Sequence, residues 1–242
     1  MRGNGQTPRI DRFEPARAKS GRLYDRLRAD ILTARLRPGE TLSETRLAEQ
    51  HGISRTPVRE VFQRLAAEGL LRIVPQTGTF VAPIALPAVA DSQFIREALE
   101  CQAVRRAADR ITPPQMRALQ RQLTEQARRI RAGDQTGFFT LDERMHQTIA
   151  TIAGHPAVWD LIASVKAQLD RVRHLSLEDD AWLAMIFSQH QQIVDRLAAR
   201  DVAGAEQAMQ QHLRTAFAAI DRIAEQHADF FESAAATRQE VA

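Results

Sequence analysis

Cysteine is nearly absent: Cys101 stands alone in a chain of 242 residues, which excludes an internal disulfide and every zinc module built on paired thiolates. Long apolar runs are missing as well, and none nears the roughly 18 residues that a membrane-spanning helix needs. The opening stretch, MRGNGQTPRIDRFEPARAKSGR, lacks the apolar segment of a secretory signal, so the expected location is the cytoplasm, with no membrane partner. Aromatics supply only 5% of the residues, with 11 glycines and 10 prolines, so a large sheet is not expected. Ala, Leu, Arg and Gln dominate instead, and these are helix formers. With 44% hydrophobic and 26% charged residues, the chain can bury a core, and its length points to two domains.

Charge is segregated along the chain. Residues 1–84 carry 15 Lys and Arg against 9 Asp and Glu, whereas residues 85–242 carry 18 against 21. A basic first third on a mildly acidic remainder suggests a polyanion-binding module attached to something with a different task.

Residues 1–19 mix Gly, Pro and scattered charge without periodicity and read as a flexible basic tail. Helix is expected from Ser20, with Leu23, Leu27 and Ile31 on one stripe, until RPGE at 37–40 stops it. Ser43 caps a short second helix that Gly52 ends, and Ser54 caps a third in which Val58, Phe62 and Leu65 form the buried face. Pro57 is tolerable there because it lies in the first turn. After Gly69 the period changes, and two short strands flank PQTG as a hairpin with Gly78 supplying the turn. That order, over residues 20–83, is a winged helix-turn-helix. Residues 84–88 read as a linker. From 89 to 232 only helical stripes occur, broken at 112–114, 132–134, 153–156, 174–180 and 199–204, with Thr112, Asp134, Asp179 or Asp180, and Asp201 as N-caps. Six helices result. The fold class is therefore mainly α: a winged helix-turn-helix followed by a six- or seven-helix antiparallel bundle, with a frayed tail over 233–242.

Two constellations carry chemistry. Arg55 and Arg59 lie four apart at the start of the third helix and project from one face beside its N-terminus, with the hydroxyl of Thr56 next to them. A recognition helix enters the major groove by that end, where Arg can bind guanine O6 and N7 bidentately. Arg46 on the preceding helix and the hairpin tip at Gln76 to Gly78 are placed to touch the backbone or the minor groove of double-stranded DNA. The second constellation is Asp142 and His146, four apart on an otherwise apolar stripe, with His190 beside Ile186, Ile193 and Leu197, and His212 beside Ala205, Ala208 and Met209. All four point inward from three helices, and such groups satisfy one another best by binding a cation. Imidazole suits zinc, nickel, cobalt, manganese or iron, and a position or two would remain for water or an oxygen-bearing ligand. The four other histidines, His51, His155, His174 and His227, sit at helix ends or polar positions. No second carboxylate stands at a telling spacing as a general base, so no catalytic residue is assigned.

The segment GETLSETRLAEQHGISRTPVREVFQRLAAEGLLRIVPQTGTFV, from Gly39 to Val81, resembles the DNA-binding domain of the GntR family of bacterial transcription regulators. The resemblance implies a homodimer on a short palindromic operator, with Arg55 and Arg59 reading bases and Gly78 in the wing near the minor groove. Ten residues before Arg55, where such proteins often carry an arginine, stands Thr45 with Arg46 beside it. The remainder is similar to the FCD effector domain of the FadR-type branch, through IREALE at 95–100, LDERMH at 141–146, AGHP at 153–156, SQHQQIVDRLAARD at 188–201 and AEQAMQQHL at 205–213. In metal-binding members of that branch, the positions matching Asp142, His146, His190 and His212 hold a divalent cation, zinc foremost here. Such domains usually sense small organic acids, and Arg96 matches an arginine that often faces the cavity, a natural bidentate partner for a carboxylate effector. The expectation is thus a non-enzymatic, ligand-responsive regulator, in particular a repressor, with a metal-sensing regulator or a metalloenzyme fused to a DNA-binding module as the alternatives.

Overall fold

A computed structural model of the chain describes residues 14–176, 180–218 and 220–232. The chain divides into two compact units, Met1–Ala82 and Pro83–Ala242. Residues expected to fray over 233–242, and the first 13, lie outside the described residues.

The first unit is a small helical body with a wing. Helix α1 (Glu14–Leu32) starts at Glu14 rather than Ser20, since Pro15 falls in the first turn and the alanines and basic residues after it are helix formers. A short strand β1 (Thr41–Leu42) precedes α2 (Glu44–His51) and α3 (Arg55–Ala67), and β2 (Leu71–Val74) and β3 (Gly78–Val81) complete an antiparallel sheet in the order β1-β3-β2. The hairpin was expected and β1 was not, because two residues are too few to show a period. Its register sets Thr41 opposite Phe80 and Leu42 opposite Thr79. The wing turn departs from expectation in its detail. Gln76 takes the left-handed conformation (φ 62°), while Gly78 (φ 146°) opens β3, and Thr77 N–H donates to Val74 O at 3.1 Å. Leu23, Leu27 and Ile31 of α1 close over Val58, Phe62 and Leu65 of α3, all buried. Ser43 caps α2 through Arg46 N–H, and Gly52 ends it in the left-handed region. These two caps fix where α3 begins.

The second unit is all helical: α4 (Leu86–Arg110), α5 (Pro113–Arg131), α6 (Gln135–Ile152), α7 (Ala157–Val165), α8 (Ala167–Ser176), α9 (Asp180–Ala198), α10 (Val202–Ala218), α11 (Ile220–Gln226) and a 3-10 turn at Ala228–Phe230. The residues read as a linker belong to this unit. Ile84 is buried and bridges Phe231, and α4 begins at Leu86 with Pro87 in its first turn. Eight α-helices are present among the described residues where six were expected. One addition comes from a division at Lys166, whose ammonium turns inward to Asp170 and Glu143, at 2.5 Å each. The expected caps at Asp134 and Asp201 accept Gly137 and Gly204 N–H at 2.8 and 2.9 Å, and Gln115 Oε1 accepts Thr112 N–H at 2.9 Å. The candidate cap Asp179 lies outside the described residues, and α9 begins at Asp180. The core runs between α4, α5, α6, α9 and α10 through Val104, Ala107, Leu119, Ile149, Ile193, Met209 and Leu213. No helix among the described residues is long and apolar enough to cross a membrane.

Candidate metal centre and DNA-contact face

Asp142 and His146 occupy one face of α6, whose neighbours Phe138, Met145 and Ile149 are buried against the rest of the bundle. His190 sits on the buried stripe of α9 with Ile186 and Ile193, and His212 on that of α10 with Met209 and Leu213. Helix periodicity therefore aims all four inward. The structure brings them together: one ligand atom from each lies within 4.8 Å of every other, and all four residues are buried. A tetrahedral site with bonds near 2.0 Å has edges of about 3.3 Å, so a small contraction converts this cluster into a coordination shell.

Each ring is held from behind. Gln126 Oε1 lies 2.8 Å from His190 Nδ1, and Gln189 Oε1 lies 3.3 Å from His212 Nδ1. The orientations of both amides are themselves fixed, because Gln126 Nε2 donates to Leu141 O at 3.3 Å and Gln189 Nε2 to Thr215 Oγ1 at 3.0 Å. The glutamine oxygens are thus acceptors, and Nδ1 of both rings carries the proton. His146 Nδ1 faces the carboxylate of Glu100, which is anchored in turn by Arg96 Nε at 2.6 Å. The Nε2 atoms of His146 and His212 face each other in the interior, and that of His190 faces Asp142. His146 Nε2 and His212 Nε2 are 3.2 Å apart, His190 Nε2 is 3.0 Å from Asp142 Oδ1, and neither atom of the second pair has a hydrogen-bond partner.

Electrostatics favour the same protonation states. Burial holds His190 below the usual imidazole range and His212 well below it. Burial alone would raise the carboxyl of Asp142, yet the guanidinium of Arg173 holds it well below the usual range. Glu100 is likewise drawn down to about 2 by Arg96 and His146 against its burial. Three imidazoles and one carboxylate, crowded together, form a donor set that fits a divalent cation. The backing hydrogen bonds are the kind that orient ligands and raise their basicity.

Two guanidiniums flank the cluster. Arg173 of α8 binds the carboxylates of Asp142 and Glu143, the latter at 2.8 Å, and lines a cavity of about 20 Å³ with Phe138, Ser176, Trp182 and His212. That volume holds roughly one water. Arg96 is 1% exposed, and its Nη2 has no hydrogen-bond partner.

In the other unit, Arg55, Thr56 and Arg59 are exposed at the start of α3, Arg46 is exposed on α2, and Gly78 begins the wing strand β3. Ser54 precedes α3 in extended conformation without a side-chain cap bond, leaving the first backbone N–H groups of the helix available to an anion.

Residues 19–81 match the model of bacterial regulatory proteins, gntR family, and residues 91–215 match the FCD domain. The chain belongs to the GntR family. This GntR-family chain is 38% identical over 234 residues, 97% of its length and 94% of the relative's, to a Streptomyces ambofaciens HTH-type transcriptional regulator in an unstable DNA locus. It is 36% identical over 219 residues, 90% of its length and 96% of the relative's, to the Escherichia coli K12 HTH-type transcriptional repressor RspR. Among solved structures, E. coli McbR/YncC superposes with a TM-score of 0.72 at 23% identity, over 84% of this chain and 97% of that one. A putative GntR regulator from Rhodococcus sp. RHA1 gives 0.71 at 25% identity over the same shares. This GntR-family chain is thus a DNA-binding transcription regulator with an FCD effector domain, and it carries four buried residues that could hold a metal ion.

Sequence reasoning missed the backing residues. Gln126 falls on the apolar stripe of α5 with Leu119 and Ile130, a polar residue at a core position and so a readable signal. Gln189, beside His190 and three residues after Ile186, is likewise a polar residue at a buried helical position. Arg173 fell next to a segment taken as a helix break.

Proposed function

We propose that this protein is a ligand-responsive repressor that acts in the cytoplasm as a homodimer on a palindromic operator, and that a cation-assisted site for a small organic acid sets its DNA affinity. The carrying observation is the convergence of one ligand atom from each of Asp142, His146, His190 and His212 within 4.8 Å in the bundle interior, with glutamine oxygens at Nδ1 of His190 and His212 and the Glu100 carboxylate facing Nδ1 of His146. Asp142, His146, His190 and His212 would hold the cation, zinc first, with nickel, manganese, cobalt or iron as alternatives. When bound, it would supply a Lewis-acidic anchor for a carboxylate.

The chain's own residues supply the rest. Arg96 has a free Nη2 in the interior and is the proposed partner for the acid's second oxygen. Arg173 keeps Asp142 ionised. Ligand access requires side-chain movement, because the space beside the cluster holds only about one water. That movement is the proposed origin of the signal: an acid that binds one conformation better shifts the population toward it. Repression is proposed from the similarity to a relative named as a repressor, and base reading is proposed for Arg55 and Arg59, with Arg46, Thr56 and Gly78 contacting the backbone or minor groove.

The test measures DNA binding by the full chain, loaded with zinc, against a panel of mono-, di- and tricarboxylic acids. At least one acid should change DNA affinity in the wild type and lose that effect in His212→Ala, with basal DNA binding retained. An acid acting equally on both proteins would sink the site. A response to the cation alone, with no acid effective, would replace this reading by metal sensing.

A further inference from the structure

Two arginines of the recognition helix share one carboxylate. Glu44, the first residue of α2, accepts Arg59 Nε at 3.2 Å, Arg59 Nη2 at 3.1 Å and Arg55 Nη2 at 3.3 Å. The carboxylate side chain is 21% exposed, against 61% for Arg55 and 58% for Arg59, so the acid sits beneath and the cations face outward. Glu44 is held below the usual carboxylate range, chiefly by Arg59, and is ionised wherever DNA would be bound.

This arrangement treats the two kinds of DNA contact differently. Of the five N–H donors of a guanidinium, Arg59 commits Nε–H and one Nη2–H to Glu44. Its outward Nη1/Nη2 edge stays free, and that edge matches guanine O6 and N7. A guanine edge is neutral and takes the donors Glu44 leaves over. A phosphate is an anion, which Glu44 repels and with which it competes for the same cations. Two cations over one carboxylate also present a net charge of about one instead of two, which weakens the sequence-independent share of binding.

We propose that Glu44 is a specificity-determining residue of DNA recognition: it holds Arg59 edge-on toward a guanine and discourages capture of Arg55 and Arg59 by the phosphates of unrelated sequence. The proposal rests on reading those arginines as base-contacting residues, and the experiment separates the two.

The full chain first selects its preferred duplex from a randomised library. Affinity for that duplex and for a scrambled duplex of equal length is then measured for wild type, Glu44→Gln, Glu44→Ala and Arg59→Ala, with thermal melts confirming that each variant is folded. Both Glu44 variants should bind scrambled DNA several-fold tighter, and the ratio of selected to scrambled affinity should fall about tenfold, the scale of one charge-assisted contact. Reselection with Glu44→Ala should flatten the guanine preference at one position of each half-site. A ratio unchanged in both Glu44 variants, while Arg59→Ala collapses it, overturns the proposal and leaves base reading by Arg59 intact. A ratio unchanged in Arg59→Ala removes the base-reading premise and the proposal with it.

Discussion

His146 Nε2 and His212 Nε2 face each other across 3.2 Å in the interior of the bundle, with Nδ1 of each ring turned to an oxygen acceptor. Burial holds His212 well below the usual imidazole range, so this ring is uncharged at neutral pH and can offer a lone pair to a cation. Purified protein should therefore carry about one divalent ion per chain by elemental mass spectrometry, and His190→Ala should lose most of it. Metal-free wild type that also fails to take up added zinc would leave a structural histidine cluster.

The hydrogen bond from His190 Nδ1 to Gln126 Oε1, 2.8 Å long, gives a second handle on the same site. Replacing Gln126 by Leu keeps the volume and removes the acceptor. Cation affinity should fall about 10- to 100-fold, the usual cost of losing a group that orients a ligand, as measured by competition with a chromophoric chelator. Unchanged affinity would show that packing against Phe138, stacked on the ring at 6.1 Å, already fixes the imidazole.

How far the sequence could be read depended on periodicity. The stripes that placed Val58, Phe62 and Leu65 inside α3, and His146, His190 and His212 inside the bundle, are set by 3.6 residues per turn and survive into the structure. The element β1 is too short to have a period, and Lys166, where the helix divides, pairs with Glu143, a residue distant in sequence. Glu100 and Arg173 escaped for the same reason. Each is a charged residue made buriable only by a partner on another helix, and single-sequence patterns do not display such partners. Glu44 was ordinary as the first residue of a helix, and its link to Arg55 and Arg59 emerges only where α2 meets α3.

Acidification should destabilise the second unit. His190 and His212 titrate below their ordinary value of 6.5 in the folded chain, so below that pH the unfolded chain binds more protons than the folded one. Stability rises with pH wherever the unfolded state binds more protons. The contribution is therefore full above 6.5 and is lost as the pH falls beneath it. Glu100 adds to the loss between its ordinary 4.5 and about 2. The urea midpoint of the cation-free protein should drop from pH 7 toward pH 5, and cation release should follow the same course. A midpoint that rises on acidification would mean that the histidines are charged in the folded bundle.

Arg59→Ala should weaken binding to the selected duplex by about 1–3 kcal/mol and relax the preference at one base position of each half-site. Arg46→Ala, if that residue contacts only the backbone, should weaken selected and scrambled duplexes alike and make the salt dependence shallower. Uniform weakening by both substitutions would move Arg59 from base reading to phosphate contact.

The division of the chain into Met1–Ala82 and Pro83–Ala242 predicts that damage to one core leaves the other working. Phe62 is fully buried between α1 and α3, and truncating such a ring costs about 3–5 kcal/mol, a large share of what a body of this size has in reserve. Phe62→Ala should abolish DNA binding and bring forward an unfolding transition in calorimetry. Zinc uptake by Asp142, His146, His190 and His212 should persist, because their hydrogen-bonding and ion-pair partners among the described residues belong to the second unit. Simultaneous loss of zinc uptake would mean that the two units fold as one cooperative body, and the separate treatment of DNA contact and effector site would have to be abandoned.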